Sequence, residues 1–329
     1  CNLPESIYIK RFVHIPVVCA GRMEDLDISY PALAGGAIDG IGLARQLLCD
    51  SEWPKKVQAG MVEDIRPCIG CHVGCFGLFF GRGCSCALNP AAMNEKDYQI
   101  EKAERKKKIA IVGGGIGGME TARLCSLRGH EVTLFEKTGK LGGVFIAAAK
   151  QEFKKPDRKL IDWYIKQVHD LGVDVRMNTE VTAEMLKELE ADEIIIATGA
   201  KPRILNIPGA DGDICVEPID LLLGKKKAGN RVVVVGGGLT GCEIAYELSM
   251  HGVQVSVVEM MDKILQTKNL APPNSIMIRE SFARYGVNVY TSAKLTEITP
   301  NGVRFEQGGE DKVIAADTVV LAVGYESGA

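Results

Sequence analysis

The 329 residues are 46% apolar and 25% charged, with a formal net charge of −3 and a pI near 6.1. That length accommodates two or three domains, each able to bury its own core, and the charge balance provides no general attraction for nucleic acid or for an anionic membrane. The longest apolar runs, such as Ile194-Ile-Ile-Ala197 and Val232-Val-Val-Val235, are strand-length and far short of the roughly 18 residues that a membrane helix requires, so no membrane span is expected.

Eleven cysteines is an odd number, and the residues show no secretory leader pattern. A disulfide framework is therefore not expected, and reducing, cytoplasmic surroundings are. Cys125 and Cys242 fall on expected apolar helix faces and Cys215 stands alone, so these three read as core thiols. The chain opens on Cys1 and closes just after a strand, on Val323-Gly-Tyr-Glu-Ser-Gly-Ala329, which reads as a piece of a longer protein.

In chain order, residues 15–20 predict a buried strand ending at Gly21-Arg22, followed by a helix over 25–34. A second strand over 38–43 runs into Ala44-Arg45 and a helix continuing through Val57. Strands alternating with helices predict parallel βα units, and two such units cannot close a barrel. Residues 61–100, rich in Cys, Gly and Pro, read as a loop-built module. The basic runs Arg105-Lys-Lys-Lys108 and Lys225-Lys-Lys227 lack flanking aromatics and read as solvated approaches to strands.

From Ile109 the pattern is strand, Gly-rich turn, helix over 117–128, strand over 131–135, and a helix near 158–170. Arg231 restarts it: strand, Gly-rich turn, helix over 239–251, strand over 253–258. The 123-residue offset between the turns marks an internal repeat of one nucleotide-binding unit. Glu193-Ile-Ile-Ile-Ala-Thr-Gly199 and Asp317-Thr-Val-Val-Leu-Ala-Val-Gly324 are matching strands that end in glycine, so the repeat extends past the turns.

Gly113-Gly-Gly-Ile-Gly-Gly118 and Gly236-Gly-Gly-Leu-Thr-Gly241 each follow a β-branched strand, open a helix, and are answered by an acid 23 positions on, Glu136 and Glu259. That context makes the fingerprint diagnostic of dinucleotide binding. Gly113 and Gly236 permit the turn, Gly115 and Gly238 let a pyrophosphate approach the backbone, and Gly118 and Gly241 let helix pack on strand. Gly117 sits in the same turn, where helix N–H groups meet phosphate. The two glutamates would accept hydrogen bonds from a ribose diol and repel a 2′-phosphate; with Met260-Met-Asp262 following, the second site reads as NAD(H) rather than NADP(H), with Lys263 the residue that opposes this.

Upstream, Cys68, Cys71, Cys75 and Cys86 form a C-x2-C-x3-C-x10-C array. All-thiolate ligation suits an iron–sulfur cluster or zinc, and two neighbouring nucleotide folds favour the redox cluster. Cys84 leaves the fourth ligand open, and His72 reads as solvated rather than as a ligand.

The run Arg66-Pro-Cys-Ile-Gly-Cys-His-Val-Gly-Cys75, closing at Cys86-Ala-Leu-Asn-Pro90, resembles the cluster segment of the iron–sulfur flavoenzyme branch of the old yellow enzyme family, and the resemblance covers nearly the whole chain. It implies a [4Fe-4S] cluster on Cys68, Cys71, Cys75 and Cys86, the last assigned by its trailing Asn-Pro because its gap is one residue shorter than usual. Gly21, Arg22, Ala44 and Arg45 resemble the last strand ends of the family's FMN barrel, which hold the FMN phosphate. Gly113–Gly118, Glu136, Leu141-Gly142-Gly143 and Val181 resemble its FAD site, with Lys155 a weaker match.

The implied fold class is α/β: the tail of a TIM barrel over 1–64, a cluster segment over 65–104, an FAD domain over 105–207 without its last segment, and an NAD domain over 208–329. Both nucleotide domains are Rossmann-like. The implied chemistry carries electrons from NADH through FAD and the cluster to FMN, and on to an activated C=C bond of a small-molecule substrate. The barrel strands that carry the family's flavin-ring contacts and proton donor are absent, so no catalytic residue is assigned, and turnover by this chain alone is not expected. The resemblance leaves room for a homo-oligomer.

Alternatives remain. An amine dehydrogenase like trimethylamine dehydrogenase would hold only ADP in a non-catalytic nucleotide domain; the intact second fingerprint and Glu259 count against it. The small subunit of glutamate synthase shares the cysteines and twin fingerprints but not Gly42–Arg45. A disulfide reductase would need a cysteine pair near Gly142-Gly-Val-Phe-Ile146, where there is none.

Overall fold

The computed structural model describes residues 2–267 and 270–328, with Leu78 and Phe80 described by their backbone alone. The chain divides into two compact units, Cys1–Gly70 with Gly74–Gln99, and Cys71–Val73 with Ile100–Ala329.

The first unit runs α1 (Leu3–Lys10), β1 (Val18–Ala20), α2 (Leu26–Ala34), β2 (Gly40–Gly42), α3 (Arg45–Cys49) and α4 (Trp53–Gln58). The Asp25 carboxylate caps α2 by accepting from the Asp27 N–H. β1 and β2 pair in parallel, Val18 opposite Gly40 and Ala20 opposite Gly42, around a small core of Cys19, Met23, Ala32 and Ile38. The single helix expected through Val57 is two. Asp50 leaves helical geometry at φ −145° and ψ 97°, and its carboxylate instead accepts from the Glu52 N–H at 3.1 Å, the Arg66 N–H at 2.8 Å and Lys56 at 2.6 Å. A short acidic side chain that satisfies nearby backbone donors competes directly with helix continuation. Residues 61–100 are loop with short 3-10 turns at Val62–Asp64 and Gly77–Phe80.

The second unit holds two parallel sheets. β3 (Lys108–Val112), α5 (Ile116–Leu127), β4 (Glu131–Phe135), α6 (Phe145–Ala148), α7 (Lys155–Asp170), β5 (Asp174–Arg176), α8 (Ala183–Glu188) and β6 (Glu193–Ile196) build a four-stranded sheet in the order β5-β4-β3-β6. β7 (Ala200–Pro202) follows. Then come β8 (Cys215–Val216), α9 (Pro218–Leu222), β9 (Arg231–Val235), α10 (Leu239–Met250), β10 (Gln254–Val258), α11 (Pro272–Tyr285) and β11 (Asn288–Tyr290). With β15 (Thr318–Leu321) these strands form a five-stranded sheet ordered β11-β10-β9-β15-β8.

The periodicity of β9 explains how the second sheet is covered. Val232 and Val234 pack with Cys242, Ile244, Ala245, Ile278 and Phe282 on the helical side. Val233 and Val235 face the other way and pack against Ala293, Ile298, Val303 and Phe305. Those last residues belong to an antiparallel meander, β12 (Ala293–Thr299), β13 (Gly302–Gln307) and β14 (Glu310–Ala315), which local pattern did not announce. A strand buried on both faces reads as a continuous apolar run, as Val232–Val235 does.

The corresponding run in the first sheet behaves differently. Ile194 is 41% and Ile196 50% exposed, because no such second layer lies over β6 among the described residues. β16 (Tyr325–Ser327) returns to pair antiparallel with β7. No described helix is long and apolar enough to cross a membrane.

Candidate functional site

Two cradles repeat the same backbone design. β3 leads into Gly113, whose N–H donates to the Phe135 carbonyl at 2.8 Å; β9 leads into Gly236, whose N–H donates to Val258 at 2.9 Å. Both glycines sit at positive φ, +112° and +103°, where a side chain would be strained. A Cβ on either would stand 2.3 Å from a carbonyl of the neighbouring strand end, Ala197 or Ala322. Gly118 and Gly241 are closed off as well, since a Cβ there would lie 1.8 and 2.1 Å from the Gly113 and Gly236 carbonyls. Gly115, Gly117 and Gly238 are the opposite case. A Cβ on Gly117 or Gly238 would meet nothing within 4 Å, and one on Gly115 only the Gly143 Cα at 4.0 Å. Open space beside bare helix N-termini is what close approach of a pyrophosphate requires, so these residues fit dinucleotides.

The acids are held identically. Glu136 accepts from the N–H of Gly114 at 2.8 Å through one oxygen and from that of Thr138 at 2.8 Å through the other. Glu259 accepts from Gly237 and, at 2.7 Å, from Met261. Each carboxylate oxygen keeps a further lone pair for a diol, and the negative charge is stabilised by two backbone donors. The next loop is repeated too. Thr179 and Asn178 donate to the carbonyls of Glu136 and Thr138 at 2.9 and 3.0 Å; Ala293 and Ser292 donate to Glu259 and Met261 at 2.9 and 2.7 Å. Asn178 and Ser292 both take a left-handed backbone, φ 52° and 50°. This loop brings half-buried Val181 next to the first cradle's acid. The second loop, with Ala293 and Ser292, had no motif to signal it.

Leu141-Gly-Gly143 joins the first cradle directly: Gly115 and Gly142 form an isolated parallel bridge, and the Gly142 N–H donates to Gly114 at 2.8 Å. Lys155 opens α7 and is exposed; its neighbour Lys154 pairs with Glu243 of α10 at 2.6 Å. A cleft of about 570 Å³ behind this loop is lined by Leu141, Ile146, Arg158, Ile161 and His169 but not by Gly115, so it is separate from the cradle.

In the first unit, the parallel register of β1 and β2 puts Gly21-Arg22 and Ala44-Arg45 at the same end of the strand pair. Arg22 lies 3.0 Å from Glu24. These residues fit the phosphate end of a flavin mononucleotide and offer nothing to its ring.

Cys68, Cys71, Cys75, Cys84 and Cys86 are free and half-buried. Among the described residues no three His, Cys, Asp or Glu side chains already converge on one metal-sized point. The donor set nonetheless has the chemistry of a thiolate centre. The Ser85 N–H donates to the Gly74 carbonyl at 3.2 Å, which lays the Cys75 and Cys86 strands of the loop side by side. Cys86 is held down to about 6, first by a hydrogen bond from Cys49, then by the N–H groups of Leu88 and Asn89 and the charge of Arg66, against the opposing effect of burial. Cys49 is correspondingly pushed far up by sharing its proton with Cys86 and by burial. Cys84 turns its sulfur toward the Cys75 carbonyl at 3.9 Å.

The expectation of a solvated His72 is corrected. Its Nδ1 lies 2.8 Å from the Asn274 Oδ1, and the Asn274 amide donates to the Cys71 carbonyl at 3.1 Å, so α11 supplies a partner that sequence spacing could not indicate. Gln46, Cys49 and Asn274 were all missed, since each is an ordinary helix residue until the chain is folded.

Residues 91–188 and 184–328 match the family described as pyridine nucleotide-disulphide oxidoreductase. A cinnamate reductase of Clostridium sporogenes is 41% identical over 327 residues, 99% of this chain and 49% of that protein. A bilirubin reductase of Mediterraneibacter gnavus is 37% identical over 319 residues, 96% of this chain and 49% of its own length. A solved 2-naphthoyl-CoA reductase in complex with 2-naphthoyl-CoA superposes with a TM-score of 0.92 at 34% identity, covering 99% of this chain and 50% of that one. The chain thus spans about half the length of the relatives it matches. The duplicated cradles and these similarities together establish that the chain belongs to the pyridine nucleotide-disulphide oxidoreductase family, with FAD and NAD(H) binding implied, and that its relatives are the iron–sulfur flavoenzymes of the old yellow enzyme type.

Proposed function

We propose that this chain is the electron-input part of an NADH-dependent oxidoreductase that reduces an activated C=C bond, with FAD at the Glu136 cradle, NADH at the Glu259 cradle, a [4Fe-4S] cluster on Cys68, Cys71, Cys75 and Cys86, and the phosphate of FMN at Gly21-Arg22 and Ala44-Arg45. The observation that carries it is the duplicated acid: Glu136 and Glu259 are each fixed by two backbone N–H groups beside an open glycine. Two such sites in one chain fit a donor dinucleotide and an acceptor dinucleotide. Flavins, when bound, supply the exchange between two-electron and one-electron chemistry, and an iron–sulfur cluster carries single electrons.

The chain's own residues bind and orient. Gly115 and Gly238 admit the pyrophosphates, Glu136 and Glu259 grip the ribose diols, and the cysteine loop offers thiolates. The substrate class is supported by the relatives, whose names specify an unsaturated acid, a tetrapyrrole and an aromatic thioester. A small molecule bearing an activated alkene is the partner this reading calls for, in a reducing cytoplasmic setting, and neither nucleic acid nor membrane has a part in it.

The test uses this chain supplied with FAD. NADH should bleach the flavin's visible absorbance and reduce an artificial one-electron acceptor, while cinnamate-type alkenes remain unreduced. Alkene reduction without added protein would place the substrate site within these residues and overturn the assignment of roles.

A further inference from the structure

Helix α3 is built into the cysteine loop by a set of buried contacts. Gln46, 3% exposed, donates from its amide to the Arg66 carbonyl at 2.8 Å and accepts from the Cys68 N–H at 3.0 Å. The carboxylate of Asp50, the residue after α3, takes the Arg66 N–H at 2.8 Å. Asn89 donates to the Leu48 carbonyl at 2.9 Å. Between these anchors lies Cys49, 2% exposed.

Its thiol has one proton and two acceptors in reach, the Arg66 carbonyl at 3.5 Å and the Cys86 sulfur. The carbonyl already accepts from Gln46, and an anionic sulfur is the stronger acceptor. The proton therefore points to Cys86. That sulfur also receives the N–H groups of Leu88 and Asn89, so three donors converge on one thiolate.

We propose that Cys49 is a positioning residue for the metal cluster: its S–H donates to the sulfur of Cys86 and raises the cluster's reduction potential. The inference rests on the cluster reading of Cys68, Cys71, Cys75 and Cys86 given above. Its physical basis is that a donor to a ligating sulfur stabilises negative charge, and the reduced cluster carries more of it. Cys49 itself is not a ligand here, because its proton is committed.

The test uses the full-length enzyme, purified anaerobically, with Cys49→Ala and Cys49→Ser. Iron and sulfide content is measured first, then the cluster's midpoint potential by EPR-monitored titration. All three proteins should hold the same iron and sulfide. Cys49→Ala should shift the potential downward, by about a tenfold fall in the reduced-to-oxidised ratio at fixed potential, equivalent to about 59 mV for one electron. Cys49→Ser, whose hydroxyl donates, should stay near the wild type. Should the alanine variant fail to accumulate, Cys49→Val fills the same space without a donor and should shift the potential the same way. Unchanged potential with the cluster intact overturns the proposal while leaving the cluster reading standing. Loss of iron from Cys49→Ala but not from Cys86→Ala makes Cys49 a ligand and overturns it as well. Wild-type enzyme without iron or sulfide overturns the cluster reading and this inference together.

Discussion

Gly115 bridges to Gly142 across the first cradle, so the fingerprint turn and the Leu141-Gly-Gly143 segment are one structural element with an open side. That opening distinguishes glycines needed for folding from those needed for a ligand. Gly115 has φ −72° and ψ −177°, which alanine adopts freely, and its Cβ would meet only the Gly143 Cα at 4.0 Å. Gly115→Ala should therefore leave the thermal midpoint of the FAD-free protein unchanged and weaken FAD binding by about tenfold or more, about 1.4 kcal/mol. Gly118→Ala should lower stability by about 1–3 kcal/mol or prevent folding, because its Cβ would lie 1.8 Å from the Gly113 carbonyl. Calorimetry paired with FAD titration separates the two, and equal destabilisation by both would remove the distinction.

The Glu259 carboxylate faces two backbone donors and has lone pairs remaining for a ribose diol. Glu259→Gln turns one acceptor into a donor. NADH should bind about tenfold more weakly, about 1.4 kcal/mol, the preference against NADPH should narrow, and FAD content should not change. The check is steady-state KM for both nucleotides; a wild-type enzyme that prefers NADPH contradicts this reading of Glu259.

Cys84 and Cys86 flank Ser85 yet turn to different partners, Cys84 to the Cys75 carbonyl and Cys86 to three donors. Cys84→Ala should retain the cluster's broad visible absorbance and its iron. Cys86→Ala should lose both. The reverse pattern, read by iron assay after anaerobic purification, would falsify the ligand assignment.

Cys242 lies fully buried in α10, and burial pushes its thiol up to about 12. Its sulfur donates to the Gly237 carbonyl at 3.3 Å. The folded value exceeds that of an unfolded thiol, so the stability present below about pH 8.5 is lost as pH climbs toward about 12, because only the unfolded chain releases the proton. The decline attributable to this group is at most about 1.4 kcal/mol per pH unit. Cys242→Ala should flatten that part of the alkaline stability profile, measured by chemical denaturation at successive pH values. Mass-spectrometric labelling with iodoacetamide at neutral pH should leave Cys242 unmodified in the folded protein; prompt modification would show that it is accessible.

How far local pattern reached is clearest in the two cradles. A β-branched run, a glycine that alone tolerates positive φ, a helix, and an acid 23 positions on are short-range features, and backbone sterics translate them into strand, turn and helix wherever they occur. Gly113, Gly236, Glu136 and Glu259 were legible for that reason, as were the limits of β4 and most of α10. Tertiary structure decided what covers each face. Val233 and Val235 are sealed by a meander from residues 293–315, whereas Ile194 and Ile196, equally apolar and in an equivalent strand, remain half exposed. Periodicity shows that a face is apolar but does not say what will lie on it. The same holds for hydrogen bonds. Cys49 becomes the donor to Cys86, Gln46 the clamp on Cys68, and Asn274 the partner of His72 only when the chain's path brings distant polar groups within about 3 Å, since a bond of that range depends on spatial approach and not on order along the sequence.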